Sequence, residues 1–373
     1  MKKGLFGHID WILVGALVPL VFAGLVTMNT FSADNYFFFR QLMWVGVSLG
    51  FFFTASYVDW RFLRHSHLIV ITYGVIIVLL LLLFFMSAVN GSERWILLPG
   101  FSLQPSDFMK VALIALLAKY FSRRHIEIAR LRHIIVSGLY AFIPFVLVAL
   151  QPDLGTAAVF FFIWLAMIIF AGVPFRYLAI IGVLSVVAGG LLWQFGLDPY
   201  QKNRVFTFID PWSDVQGAGY NALQSQIAVG SGQVVGKGVG FGTQSRLEFL
   251  PEYETDFIFA AFAEEWGFIG VMILFVLYGI VFVRLTQSAL VGQSNFESLF
   301  ILGYGVLVLS HLTIHVGMNI GIMPITGITL PFISYGGSHM VTEFIALGII
   351  MGMRRYSLLY SPFVSKDIIA DSV

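Results

Sequence analysis

The chain has 373 residues, 58% of them hydrophobic and 11% charged, with a net charge of +1 and no cysteine. A soluble domain carries about 25% charged residues, so a mean hydropathy of +0.89 puts most of this chain in lipid. The small net charge argues against nucleic acid as a partner, and the absence of thiols excludes disulfides, thiolate metal sites and a cysteine nucleophile.

Ten apolar segments follow in chain order, at 11–28, 40–58, 67–89, 105–121, 134–150, 155–171, 175–195, 256–285, 297–320 and 333–353. The first follows a basic start, but it is long enough to span and no small-residue cleavage site is evident. It reads as a retained helix rather than a removed signal. Fourteen of the 21 lysines and arginines fall in the loops on the side of both termini, among them Lys2, Lys3, Arg124, Arg130 and Lys366. That side is therefore cytoplasmic. The acids show the opposite bias, with Asp34, Glu93, Asp107, Asp153, Glu248, Glu252, Glu254 and Asp256 on the outer side. The expectation is one all-α integral membrane domain over 1–373: ten transmembrane helices, both termini cytoplasmic, and a large extracytoplasmic loop at 196–255 between helices seven and eight. A loop of that length is expected to be functional and to carry short helices. The basic stretch 119–135 reads as a positive-inside loop, with an interfacial helix on membrane lipids as the other reading.

The clusters of polar residues all lie in outer loops. The first, "NGSERWILLPGFSLQPSDFMK", holds Arg94, Trp95, Gln104, Ser106, Asp107 and Lys110. Asp107 and Lys110 are three apart at the start of a helix and share a face. In "QPDLGT", Asp153 suits a helix cap, and also a cavity shared with Arg94 and Lys110, because carboxylates at membrane depth are rarely idle. The long loop contains Arg204, Gln224 within "GAGYNALQSQIAVGSG", and a glycine-rich run at 232–240. That run lacks the GxxxxGK[ST] spacing of a phosphate-binding loop, so tight turns account for its glycines. "HLTIH" lacks the glutamate of a zinc protease, leaving His311 and His315 as helix histidines. The last outer loop, 317–338, is uncharged and irregular. It is expected to wall a groove, with Asn319, Ser334 and Tyr335 offering hydrogen bonds.

Taken in order, "ERWI…QPSDFMK", "QPDLGT", "GAGYNALQSQIAVGSG", "GTQSRLEFLPEYETDFIFA" and "GITLPFISYGGS" resemble the SEDS family (shape, elongation, division and sporulation) over almost the whole chain. The "GTQSRLEF" run is more similar to the elongation branch than to the division branch. The resemblance implies a peptidoglycan glycosyltransferase that polymerises lipid II into glycan strands on the outer face of the cytoplasmic (inner) membrane. It implies a class B penicillin-binding protein, a transpeptidase, as partner. The family's essential carboxylate falls on Asp256, its Arg-Trp motif on Arg94 and Trp95, its Gln-Pro-Ser-acid segment on Gln104 to Asp107 with Lys110 following, and its second acidic loop on Asp153. One departure is Glu254, where relatives often carry histidine.

Glycosyl transfer from a polyprenyl diphosphate needs a base for the acceptor hydroxyl and positive charge for the leaving diphosphate. Asp256 is the expected base, in an inverting displacement. Arg94, Lys110, Asp153 and Arg204 are expected in the same groove, with Glu252 as helper. A divalent cation, Mg2+ or Mn2+, held by Asp256 and Glu252 is the other means of neutralising the diphosphate. Two alternatives remain: a lipid II flippase or other transporter, and a non-catalytic scaffold for a transpeptidase. Glu264 and Glu265, about 12 Å of helix rise below Asp256, and Glu343 are the acids that polymerisation leaves unexplained.

Overall fold

The computed structural model describes residues 7–29, 35–86, 94–98, 101–123, 131–214, 217–247 and 249–359. Lys2, Lys3, Asp34, Glu93, Arg124, Arg130, Glu248, Lys366 and the middle of the basic stretch 119–135 lie outside these residues. In chain order the helices are α1 (Trp11–Asn29), α2 (Tyr36–Tyr57), α3 (Leu68–Leu83), α4 (Pro105–Ser122), α5 (Leu131–Ala149), α6 (Leu154–Phe170), α7 (Phe175–Leu191), α8 (Pro199–Ile209), α9 (Ala218–Ser231), α10 (Thr243–Arg246), α11 (Ile258–Leu290), α12 (Asn295–Asn319) and α13 (Gly337–Leu359). One antiparallel hairpin, β1 (Ile96–Leu98) with β2 (Phe101–Leu103), precedes α4.

Each of the ten apolar segments holds one of these helices. Six are long and apolar enough to cross a membrane: α1, α2, α5, α7 with the turn after it (Phe175–Gly196), α11 and α12. The apolar α3 and α6 are shorter. The remaining two, α4 and α13, carry charge because protein surrounds them rather than lipid. Met109, Leu113, Leu117 and Ala118 of α4 are completely buried, and α3, α5, α6, α12 and α13 pack around it. A helix enclosed on every side shows no apolar stripe. By contrast no residue of α7 is buried, and lipid is its natural solvent.

The loop between α7 and α11 holds α8, α9 and α10, as its length led one to expect. Helix α8 begins where Asp198 donates its backbone N–H to the Gln201 side chain at 3.0 Å, with Pro199 at the first helical position.

The eighth apolar segment is not one continuous span. Gly267 has φ 63° and ψ −167° inside α11, which breaks it into a short piece at 258–266 and a long piece at 268–290. The long piece alone, at about 1.5 Å per residue, is roughly 34 Å and long enough to cross a bilayer. A break frees carbonyls on one side and N–H groups on the other, and these need partners. The loop backbone supplies both. Lys237 and Gly238 donate to the Glu264 and Glu265 carbonyls at 3.0 Å each, while Phe268 and Ile269 donate to the Gln233 and Val234 carbonyls at 2.9 and 3.1 Å. The approach is so close that a Cβ on Gly236 (φ +81°) would lie 2.0 Å from the Glu265 carbonyl oxygen. This is the use of the glycine-rich run, and it corrects the placement of Glu264 and Glu265 within a single span.

At the far end of α11, Arg284 forms an ion pair of 2.7 Å with the buried Asp10, just before α1, and Arg354 of α13 pairs with the same carboxylate. The starts of α4, α6, α11 and α13 and the end of α12 gather at the opposite end, where the polar loops meet.

Candidate functional site

Asp256 sits between a tight turn and the short helix 258–266. The Glu252 carbonyl accepts from the N–H groups of Thr255, Asp256 and Phe257 at 3.1, 3.0 and 3.2 Å. The carbonyls of residues 254–256 are held from outside the turn. Tyr335 N–H donates to Glu254 at 2.8 Å, Ser334 Oγ to Thr255 at 2.8 Å, and Asn319 Nδ2 to Asp256 at 3.0 Å. Three consecutive carbonyls clamped by the last loop and α12 leave the Asp256 backbone little freedom, which is how a reacting side chain is preorganised. Its Oδ2 lies against Gly327, where a Cβ would sit 3.3 Å away.

Burial pushes the Asp256 carboxyl up to about 6. Glu252 and Asp153 push the same way, while Arg204 and Arg94 pull it back. The charges of two guanidinium groups and two other carboxylates thus act on one partly exposed carboxyl group. Arg94 Nη1 lies 3.4 Å from Asp153 Oδ2. The other oxygen, Asp153 Oδ1, accepts from Thr156 N–H at 3.0 Å and caps α6. One oxygen of Asp153 thus starts the helix and the other faces Arg94, while Lys110, expected in the same cavity, lies elsewhere. Arg204 donates to the Ile325 carbonyl at 3.2 Å and stands over the Tyr200 ring at 4.7 Å, a cation–π contact that fixes its stem. A cavity of about 220 Å³ opens beside it, bounded by Tyr200, Arg204, Asn221, Gln226 and the 318–325 segment. Tyr200 went unnoticed in the sequence, although its spacing of four from Arg204 on a helix was a usable signal.

Glu254 stands on the same turn. It is buried, and burial raises its carboxyl to about 7, with its own backbone hydrogen bond opposing and Glu252 and Asp256 adding. Glu252 itself is exposed, and accepts from Thr255 Oγ1 at 3.4 Å.

Lys110 is not turned to this groove. It is 3% exposed, 2.9 Å from Asp107 Oδ1 and 3.2 Å from His311 Nε2. Asp107 also accepts from Ser338 Oγ at 2.9 Å, and His339 Nε2 lies 3.0 Å from Glu343 Oε1. The shared face of Asp107 and Lys110 is real, but it points into the bundle, because α4 is enclosed by other helices. Ser334 is likewise 1% exposed, and its Oγ both donates to Thr255 and accepts from Leu330 N–H at 2.8 Å. Its hydroxyl is engaged on both sides, so it holds the Asp256 turn rather than reaching outward. Tyr335 acts there through its backbone, and its ring meets Phe37 edge-on at 5.1 Å.

The β1–β2 hairpin pairs Ile96 with Leu103, which sets the half-buried Trp95 near Gln104 at the mouth of α4, ahead of the buried Ser106. Gln224 lies on α9 with its Oε1 buried and without a hydrogen-bond partner. His311 and His315 each place Nδ1 on a carbonyl, of Thr329 at 3.1 Å and of Ile328 at 2.6 Å. Among the described residues no three His, Cys, Asp or Glu side chains stand together as a metal-ligand set.

A carboxylate whose proton affinity is raised toward neutrality can accept a proton, and the two guanidiniums that act on it can hold an anion. A model of the FtsW/RodA/SpoVE family, described as cell cycle protein, matches residues 5–358. The chain is 35% identical over 361 residues to the stage V sporulation protein E of Bacillus subtilis, covering 93% of this chain and 97% of that one. It is 33% identical over 360 residues to the peptidoglycan glycosyltransferase MrdB of Escherichia coli, covering 96% of each. Among solved structures it resembles a chain from a peptidoglycan synthase complex described for coordination of polymerization and crosslinking, with a TM-score of 0.80, 30% identity, and coverage of 93% and 98%. It also resembles the rod shape determining protein RodA of Thermus thermophilus, with a TM-score of 0.71, 28% identity, and coverage of 94% and 98%.

Proposed function

The chain belongs to the SEDS family, the FtsW/RodA/SpoVE cell cycle proteins, and on that premise we propose that it is a peptidoglycan glycosyltransferase polymerising lipid II for cell elongation. The named relatives and the synthase-complex likeness support the activity, and the rod-shape relative together with the "GTQSRLEF" run supports elongation. The topology that suits it has ten spans, both termini cytoplasmic and the 196–255 loop outside. The site then opens on the outer face of the cytoplasmic membrane, where the isoprenoid stays in lipid and the sugars meet water. A class B penicillin-binding protein is the partner that would cross-link the strands.

Asp256 takes the proton from the acceptor hydroxyl of an N-acetylglucosamine as that oxygen attacks the anomeric carbon of the donor. The bond to diphosphate breaks on the opposite face, so the configuration inverts without a covalent enzyme intermediate. Arg94 and Arg204, whose charges both act on Asp256, meet the charge that develops on the leaving diphosphate. Two carboxylates beside a diphosphate also fit a hard divalent cation, which commonly takes one or two carboxylates plus phosphate oxygens. Asp256 and Glu252 would hold it, and it would add positive charge at the leaving group.

The observation that carries this reading is Asp256 on a turn whose carbonyls at 254–256 are clamped by Tyr335, Ser334 and Asn319, with the charges of Arg94 and Arg204 acting on its carboxyl. Transport draws on a different observation, the interior cluster of Asp107, Lys110, His311, His339 and Glu343. Asp107 and Lys110 lie in the first two turns of α4, His339 and Glu343 in the first two turns of α13, and His311 about two turns from the end of α12, so the cluster lies toward the site end of the bundle, whereas a carrier's coupling groups belong at mid-membrane. The test is purified protein with its partner in detergent, supplied with lipid II. Glycan ladders from wild type and none from Asp256→Asn are expected. Wild-type ladders from Asp256→Asn would remove the base assignment, and lipid scrambling without polymer would favour transport.

A further inference from the structure

Glu264 is 0% exposed, yet polymerisation gives it no part. Its carboxylate is among the most heavily engaged groups in the chain. Oε1 accepts from Lys237 Nζ at 2.6 Å, Thr243 Oγ1 at 3.1 Å and Gln244 N–H at 3.1 Å. Oε2 accepts from Ser245 Oγ at 3.2 Å and Ser245 N–H at 3.4 Å. Ser231 Oγ approaches Oε1 at 3.4 Å. Beside it, Glu265 Oε1 accepts from Gly240 N–H at 2.6 Å. A buried carboxylate is tolerated only with such partners, and here all of them come from the loop at 231–245.

The loop does not stop there. The Gln244 carbonyl, on the residue whose N–H meets Glu264, accepts from Leu250 N–H at 3.1 Å. Leu250 is completely buried in a small cluster with Ala228, Tyr253, Phe257, Ala260 and Ala261. Tyr253 and Phe257 directly follow Glu252 and Asp256 on the turn that presents those two carboxylates. A chain of contacts therefore runs from Glu264 out along the loop and back to the head of its own short helix, closing a ring over residues 243–264.

We infer that Glu264 is a positioning residue: by gathering Lys237, Thr243, Gln244 and Ser245 it fixes the returning segment that sets Glu252 beside Asp256. The inference rests on the polymerase reading above. Glu264 lies about 12 Å of helix rise from Asp256 and acts through this segment rather than on the substrate.

The experiment measures lipid II polymerisation at pH 7 and hydrogen exchange for wild type, Glu264→Gln and the double variant Thr243→Val/Ser245→Ala. In Glu264→Gln, kcat per folded molecule falls tenfold or more, the KM for lipid II stays within about twofold, and hydrogen exchange rises over 243–257 and stays unchanged over 268–290. The double variant keeps the Lys237 pair and shows a smaller change of the same sign, so it still decides the matter if Glu264→Gln does not fold. A folded variant with reduced yield but unchanged kcat overturns the inference, because a purely structural role lowers the amount of active protein and leaves its turnover alone. If wild type makes no polymer, the polymerase reading fails and this inference with it. If wild type polymerises, Asp256→Asn does not, and kcat and exchange over 243–257 stay at wild-type values in both loop variants, only this inference fails.

Discussion

Raising the pH from 5 to 7 should raise the polymerisation rate about tenfold, with a single acid limb centred near 6. The perturbation acts on Asp256, which must be ionised to accept the proton of the attacking hydroxyl. With its carboxyl raised to about 6, roughly a tenth is ionised at pH 5, half at pH 6 and nine-tenths at pH 7. An ordinary aspartate, near 3.9, would be more than nine-tenths ionised already at pH 5 and would give no limb in this range. Burial is the largest cause of the rise and Glu252 the next. Glu252→Gln should therefore move the limb to lower pH, and the variant should keep a larger share of its plateau rate at pH 5. The assay is initial rate of glycan synthesis from lipid II in detergent at saturating and limiting substrate, with a melting curve at each pH to confirm that the protein is folded. A rate that is flat from pH 5 to 7.5, or a limb that moves up in Glu252→Gln, would refute both the base assignment and the electrostatic account of it.

Other perturbations separate the groove from the frame around it. Arg94→Gln removes a charge that holds the Asp256 carboxyl down and faces Asp153 at 3.4 Å, so the acid limb should move above 6 and the plateau rate should fall; an unmoved limb counts against contact through the groove. Lys110→Met leaves Asp107 buried without its counter-charge, which should cost about 3–5 kcal/mol, read as a large drop in melting temperature, and Asp107→Leu/Lys110→Met should recover most of it. A single variant that melts like wild type would mean that the buried pair does not bear on folding. Asp10→Asn should cost roughly 2–3 kcal/mol at neutral pH through lost charge-assisted hydrogen bonds, with activity per folded molecule unchanged. Burial raises the Asp10 carboxyl, but hydrogen bonds from Arg284 and Leu13 and the charges of Arg354 and Arg284 outweigh it and hold it below the usual range. Its stabilisation is thus present above about pH 4 and lost as pH falls through the lowered value. The melting difference between wild type and variant should therefore shrink in acid, and a constant difference would contradict that sign.

The apolar spans were legible because lipid imposes a coarse rule on sequence: apolar helices of sufficient length, with charge confined to the ends or interior. Asp256, Arg94, Asp153 and Arg204 were legible for the same reason, since a charge at a membrane mouth stands out against its surroundings. What could not be read was direction. The spacing of Asp107 and Lys110 puts them on one face, but which face turns inward depends on the helices packed around α4, and those are far away in sequence. Ser334 and Tyr335 looked like groove-lining groups, and they serve the groove through hydrogen bonds to the Thr255 and Glu254 carbonyls.

The break at Gly267 shows the limit most clearly. Between Asp256 and Arg284 the chain is a long apolar run interrupted by two glutamates and three glycines, and its hydropathy alone favours one helix through it. Two adjacent carboxylates within a single lipid-facing helix would be very costly. With the backbone broken at Gly267, they become loop-binding groups at the end of a short helix, each with donors from 237–245. The cost of burying Glu264 and Glu265 and the cost of breaking the helix are thus met by the same segment: its side chains and N–H groups satisfy the carboxylates, while its backbone satisfies the orphaned N–H and carbonyl groups of the break. Neither feature is stable without the other, and their joint product is a short helix held at a fixed distance from the membrane span, with Asp256 at its head. A base that must meet a sugar hydroxyl beside a lipid-anchored diphosphate requires such a fixed standing point, and this arrangement supplies it without any side chain of the span itself entering the reaction.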